Sequence, residues 1–176
     1  MTTFDFGNGP VPAHQHSDGG GWVADSASVA DTAYVGPDAR VYGNAKVYGD
    51  ALVFGNARVF GNAQVYGNAE VFDNARVYSN ARVAGNALVS NKARVFDNAW
   101  VSGDAKVYGK ARVSGTALVS GYAQVYDNAW VSGTALVYGN AQVSDNAWVS
   151  GDAHVSGNDE VAEEDMFIEM NGWHFG

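Results

Sequence analysis

Five of the six arginines in this chain recur at a fixed interval of eighteen residues: Arg40, Arg58, Arg76, Arg94 and Arg112. Two residues after each of the first four stands an aromatic ring, at Tyr42, Phe60, Tyr78 and Phe96. A guanidinium is a planar cation that meets carboxylates and phosphates through paired N–H donors. Rings beside such cations suit anions that also stack, as nucleotides and acidic sugars do. If the fold brings the eighteen-residue interval into line, these side chains form a stripe for an anionic small molecule or an acidic protein surface. The bland alternative is a ladder left by sequence duplication.

Other residues with chemistry are sparse. His154 is the one histidine inside the regular part of the chain, hence the one candidate for a general base there. His14 and His16, with Asp18, have metal-ligating side chains, but two histidines without a recognisable partner spacing read equally well as a polar loop. Cys is absent, which excludes disulfides and thiolate metal sites.

What must position these residues is a six-residue phrase that runs without a gap from Trp22 to Asp165, 144 residues or 24 phrases. Typical phrases are Arg40-Val-Tyr-Gly-Asn-Ala45 and Leu52-Val-Phe-Gly-Asn-Ala57. Val stands second in every phrase, and Ala closes 22 of the 24, failing at Asp159 and Asp165. Val on one face with its two flanks on the other describes a very short strand. Gly-Asn or Gly-Asp then tolerates the φ values of a tight bend, and Ala is small enough to sit inside a corner. One such strand cannot bury its Val alone, so the phrases must wind and stack.

The Val/Ala frame resembles the hexapeptide-repeat family, whose fold is an all-β, left-handed parallel β-helix of triangular cross-section. Three phrases make a coil in that family, which implies eighteen residues per coil and eight coils over residues 22–165. The left hand comes from the resemblance alone, because crossover rules favour the right hand in about 98% of cases. With strands about 4.8 Å apart, eight coils make a rod roughly 40 Å long.

On that frame, residues eighteen apart form outward columns on three faces. The first face carries Trp22, the five arginines, Trp130 and Trp148, with Tyr42 to Phe96 in the adjoining stripe. The second carries Ser28, Lys46, Gln64, Arg82, Trp100, Leu118, Leu136 and His154. The third carries Tyr34, Leu52, Glu70, Leu88, Lys106, Gln124, Gln142 and Glu160, with Phe54 and Phe72 beside its first half. A contiguous apolar patch marks a contact surface. Because hexapeptide-repeat proteins are typically trimers, the expectation is a homotrimer joined through Leu52, Phe54, Phe72 and Leu88. Each Trp of the frame is followed two residues later by Ala24, Ser102, Ser132 or Ser150, as crowding between same-face neighbours requires.

Many members of that family are acyltransferases that use acetyl-CoA and a histidine base at a site between subunits. Here His154 lies outward in the last coil, no loop interrupts the run, and the tail shows no helical period. The γ-class carbonic anhydrases of the same fold hold zinc with three histidines, a set the coils lack. Ice binding rests on Thr ladders, yet Thr occurs in the frame only at Thr32, Thr116 and Thr134. In texture the chain resembles loop-free repeat proteins of bacteria and bacteriophages, some of which carry an acetyltransferase label from repeat similarity. The leading reading is therefore a non-enzymatic binding or assembly module without a cofactor. An acetyl-CoA-dependent acyltransferase and a purely structural solenoid are the alternatives.

Residues 1–21, rich in Gly and Pro, read as an irregular cap, with Phe4 and Phe6 over the open end of the first coil. Asp159 and Asp165 in place of the corner Ala read as the end of the solenoid, because a carboxylate is costly to bury unpaired. Residues 166–176 read as a C-terminal cap or docking tail. A net charge of −9 argues against general nucleic-acid binding. With no secretory leader or apolar run of membrane-spanning length, the expected compartment is the cytoplasm of a bacterium, or of the host for a phage protein.

Overall fold

The protein is described by a computed structural model over residues 2–162 and 167–169. Strands of two residues, such as Arg76–Val77 and Leu88–Val89, alternate with tight corners and form three parallel sheets. Each strand pairs with the strand eighteen residues on, so that Val77 faces Val59 on one side and Val95 on the other. The strands are one residue shorter than the three-residue reading. The third residue of a phrase still joins the ladder through its amide, as Tyr78 N does with Val95 O at 3.0 Å. This is an all-β parallel solenoid of about eight coils, with no helix among the described residues.

The interior is made of two residue types. Val and Ala from Ala33 to Ala147 that close or centre a phrase are fully buried, and they form one continuous core. Val29, in the leading strand of the second sheet, is only partly buried because no coil precedes it there. Corners need the left-handed backbone region. At Gly61 φ is +71°, and a Cβ would lie 3.0 Å from Ser79 N in the next coil. At the other left-handed corners Asp, Asn or, once, Ser79 stands at the same slot, as Asp73 does with φ 58°. Its carboxylate accepts Asn91 N at 3.2 Å and Asn91 Nδ2 at 2.9 Å, which offsets the strain. Amide side chains also run from coil to coil along the corners, from Asn44 through Asn62 and Asn80 to Asn98.

The N-terminal segment is not irregular. Thr3–Asp5 and Pro10–Gln15 form an antiparallel hairpin that adds to the edge of Trp22–Ala24. Asp5 Oδ1 closes its turn by accepting Gly7 N and Gly9 N. Phe4 and Phe6 do not lie over the open core: a strand added sideways keeps the alternation of the sheet, which puts both rings on the outer face. Phe4 stacks on Trp22 with centroids 4.5 Å apart, and Phe6 on Tyr42 at 4.9 Å. Residues 18–21 instead cover the leading strand of the third sheet, Val35 N donating to Asp18 O and Gly21 N to Val35 O. Gly19 is required there, since a Cβ would fall 2.3 Å from Val35 O.

At the far end Asp159 does not stop the coil. Its carboxylate accepts Ser156 N at 3.1 Å, it stays partly exposed, and the strand Glu160–Val161 follows and pairs with Gln142–Val143. Phe167–Glu169 then extends the first sheet, pairing with Trp148–Ser150 at an interval of nineteen residues instead of eighteen. Asp165 and the rest of the expected C-terminal cap lie outside the described residues.

Candidate anion-binding face

The first sheet brings the five arginines together. Arg40, Arg58, Arg76, Arg94 and Arg112 pair residue on residue in successive coils. Alternation follows from the pleat: Val points in, so the residue before it must point out. Unit charges about 5 Å apart repel by roughly 0.8 kcal/mol even in water. Among the described residues the one ion pair is His14 with Asp25, so no carboxylate lies within pairing distance of any of the five. The nearby acids serve the corners: Asp73 holds the Asn91 amides, and Asp97 Oδ2 accepts Gly115 N at 3.2 Å.

Beside the column runs a ladder of rings. Tyr42, Phe60, Tyr78 and Phe96 stack with centroids 4.9, 4.9 and 5.1 Å apart and planes within 3° of parallel. Phe6 of the hairpin heads the ladder. The rings therefore cover one another's faces and turn their edges outward. Burial raises the Tyr78 hydroxyl above its ordinary pKa of 10.0, although Arg94 pulls the other way.

The column has distinct ends. The Arg40 guanidinium lies over the Phe4 ring, 5.1 Å from its centroid, and that of Arg112 over Trp130 at 5.9 Å. These are the cation–π contacts among the described residues, so none holds Arg58, Arg76 or Arg94; Arg58 is half-buried and the other two are exposed. A groove of about 230 Å³ between coils is lined by Asn74, Arg76, Lys92 and Arg94. A larger trough of about 650 Å³ continues along the same corner past Lys110, but Asp127 and Asp145 line it too, so it is poorly suited to an anion.

Lys92 and Lys110 were missed by the column reading, since they sit in turn slots. The signal was present: they too are eighteen apart, each two residues before an arginine of the column. Seven of the ten Lys and Arg residues thus occupy one face and its leading corner. Below Arg112 the face changes character. Trp130 Nε1 donates to Ser114 Oγ, and Trp148 Nε1 to Ser132 Oγ, both at 3.0 Å. The crowding that keeps residues beside Trp small thus acts diagonally, on the preceding coil, as well as two residues on.

The remaining candidates lie elsewhere. His154 pairs with Leu136 on the second face. His14 Nδ1 meets Asp25 Oδ1 at 2.9 Å, whereas His16 is buried under the 18–21 bend with its Nδ1 toward Asp18 backbone atoms. Among the described residues no three His, Cys, Asp or Glu are grouped to hold a metal. On the third face Phe54 and Phe72 stack at 5.0 Å, but Glu70 separates Leu52 from Leu88 in their column. The more exposed rings are Tyr48, Trp100 and Tyr138 of the second face, Tyr122 of its following corner and Trp148 of the first face. No helix among the described residues is long and apolar enough to cross a membrane.

Three parallel sheets joined by short corners, with a Val/Ala interior, define a β-solenoid repeat protein. A family model described as YdcK Beta solenoid repeat matches residues 51–67, 63–79, 123–139 and 141–157. Each matched stretch is seventeen residues, close to one coil, and the first two span Arg58 and Arg76. No curated protein and no solved structure matches the chain.

Proposed function

We propose that this solenoid is a non-enzymatic binding module whose first face holds an anion on Arg58, Arg76, Arg94 and the corner lysines. The observation that supports it is the groove between Asn74, Arg76, Lys92 and Arg94, lined by three cations and an amide that no carboxylate among the described residues pairs. A fold that keeps like charges in adjacent strands accepts a destabilising arrangement, which an external anion relieves. The ladder geometry also narrows the ligand. Tyr42, Phe60 and Tyr78 have rings against both faces, so within the ladder a nucleobase has no free face on which to stack. Ring edges carry the positive end of the aromatic quadrupole and complement oxygen-rich anions. An acidic sugar fits this face better than a nucleotide.

Calorimetric titration with an acidic oligosaccharide and with a nucleotide, at ~0.01 M and ~0.15 M salt, tests the reading, because screening lengths of about 30 Å and 8 Å bracket an exposed ion pair. Binding weakens with salt, Arg76→Ala weakens it more than Arg82→Ala on the second face, and His154→Ala leaves it unchanged. If neither anion binds while acetyl-CoA is turned over in a His154-dependent way, the acyltransferase reading replaces this one. If neither happens, the solenoid is structural.

A further inference from the structure

Asparagine is abundant in the corners, and its place there protects it. In most corners Asn follows the left-handed residue and precedes Ala, as in Gly61-Asn62-Ala63 and Gly67-Asn68-Ala69. The following Ala is fully buried, and its amide is tied back across many corners, as Ala81 N is to Tyr78 O at 3.3 Å. Asn side chains are tied from coil to coil as well, Asn62 Nδ2 donating to Asn80 Oδ1 at 3.1 Å.

Among the described residues one asparagine is followed by Gly: Asn8, in the turn of the N-terminal hairpin. Asn8 is exposed, and no hydrogen bond among the described residues holds its side chain. Gly9 has a φ of +96° and open space where a Cβ would stand, so nothing shields its nitrogen. Its N–H donates to Asp5, whose Oδ1 accepts Gly7 N at 2.7 Å and Gly9 N at 3.0 Å.

We propose that Asn8 is a modification site: it deamidates by ring closure with Gly9, the Asp5 clamp sets the rate, and the product uncovers Arg40. The Gly9 nitrogen loses its proton and bonds to Asn8 Cγ, from which ammonia leaves, closing a five-membered imide. Water then opens the imide at either carbonyl and returns a proton to the nitrogen. Aspartate or β-linked isoaspartate is left at position 8. One water enters overall and one ammonia leaves.

Closure needs the Gly9 N–H out of its bond to Asp5, so the clamp must open first. Either product sets a second carboxylate in the turn that Asp5 closes, where like charges repel. The isoaspartate also lengthens the turn by one backbone carbon, which moves Gly9 N off Asp5 Oδ1. Phe4, on the first strand of this hairpin, stacks on Trp22 and lies against the Arg40 guanidinium. A loosened hairpin therefore frees the head of the arginine column.

The test is incubation of the full chain in warm, mildly alkaline buffer, followed by peptide mapping with mass spectrometry. The peptide that holds Asn8 gains the mass of an amide-to-acid exchange and splits into separable aspartate and isoaspartate forms, while the corner asparagines stay intact. The other Asn-Gly pair, Asn171-Gly172, lies outside the described residues and falls in a different peptide. Asn8→Gln stops the conversion, because its ring would need one more atom, and Asp5→Ala speeds it several-fold. In aged protein hydrogen exchange quickens over residues 3–15 alone, and a dicarbonyl reagent labels Arg40 faster while its labelling of Arg76 is unchanged. Intact Asn8 after a period in which the urea-unfolded chain converts overturns the proposal, as does conversion spread evenly over the corner asparagines. Slower conversion in Asp5→Ala overturns the role of the clamp. Conversion at Asn8 with unchanged labelling of Arg40 overturns the release of that arginine while leaving Asn8 the modified residue.

Discussion

Arg76 and Arg94 face one another across the first parallel sheet one coil apart, and both line the groove that Asn74 and Lys92 complete at the corner. Like charges directly opposite in a sheet are destabilising. Arg76→Gln is therefore expected to stabilise the ligand-free protein while it weakens anion binding. The gain is at most about 1 kcal/mol and shrinks as salt rises, because exposed charges are screened. Thermal unfolding at low and physiological salt measures it. A loss of stability at low salt would show that Arg76 is held by contacts other than repulsion from its neighbours.

The core should respond oppositely to the surface. Val77 is fully buried between Val59 and Val95. Val77→Ala removes two methyl groups from a closed interior and is expected to cost about 2 kcal/mol. Trp100→Ser, at a side chain 41% exposed, should cost much less. Denaturant midpoints of the two variants give the comparison directly.

Corner chemistry makes a third prediction. Asp73 combines a positive φ with two accepted hydrogen bonds from Asn91. Asp73→Ala loses both compensations and should cost roughly 1–2 kcal/mol. Asp73→Gly restores the backbone freedom and should recover part of that loss. Equal destabilisation by the two variants would assign the whole effect to the carboxylate.

Alkaline pH should weaken the fold through its tyrosines. Burial raises the Tyr78 and Tyr108 hydroxyls above the ordinary value of 10.0. A raised folded-state pKa means that the folded chain keeps protons which the unfolded chain releases. The contribution is thus fully present below pH 10 and is lost as pH climbs through the folded-state values. Tyr78→Phe should flatten the fall in melting temperature between neutral and strongly alkaline solution. An unchanged slope would mean that other groups control it.

Assembly through the third face, which we propose from its apolar block, requires Leu52 and Phe54 to become covered. Leu52→Glu should then lower the sedimentation coefficient, and Trp100→Glu on the second face should not. The reverse result would move the interface to the face that bears Tyr48, Trp100 and Tyr138.

The six-residue phrase was enough to set the inward Val and Ala, and the family resemblance then set the coil length and the membership of every column. In a solenoid each residue meets the residues one coil away, so a one-dimensional period is already a contact map. Arg58 could be placed beside Arg40 and Arg76 because the family resemblance implies three six-residue phrases per coil and the arginines recur at that interval. Tertiary structure alone decided what happens where the period fails or where side chains choose directions. The hairpin of Thr3–Asp5 and Pro10–Gln15 has no period to betray it, and its register depends on the free edge of Trp22–Ala24. That Phe4 and Trp130 cover Arg40 and Arg112, that the rings spend their faces on one another, and that Lys92 completes a groove are likewise tertiary facts. They depend on rotamers and on contacts between coils, which a residue's slot in the phrase leaves open.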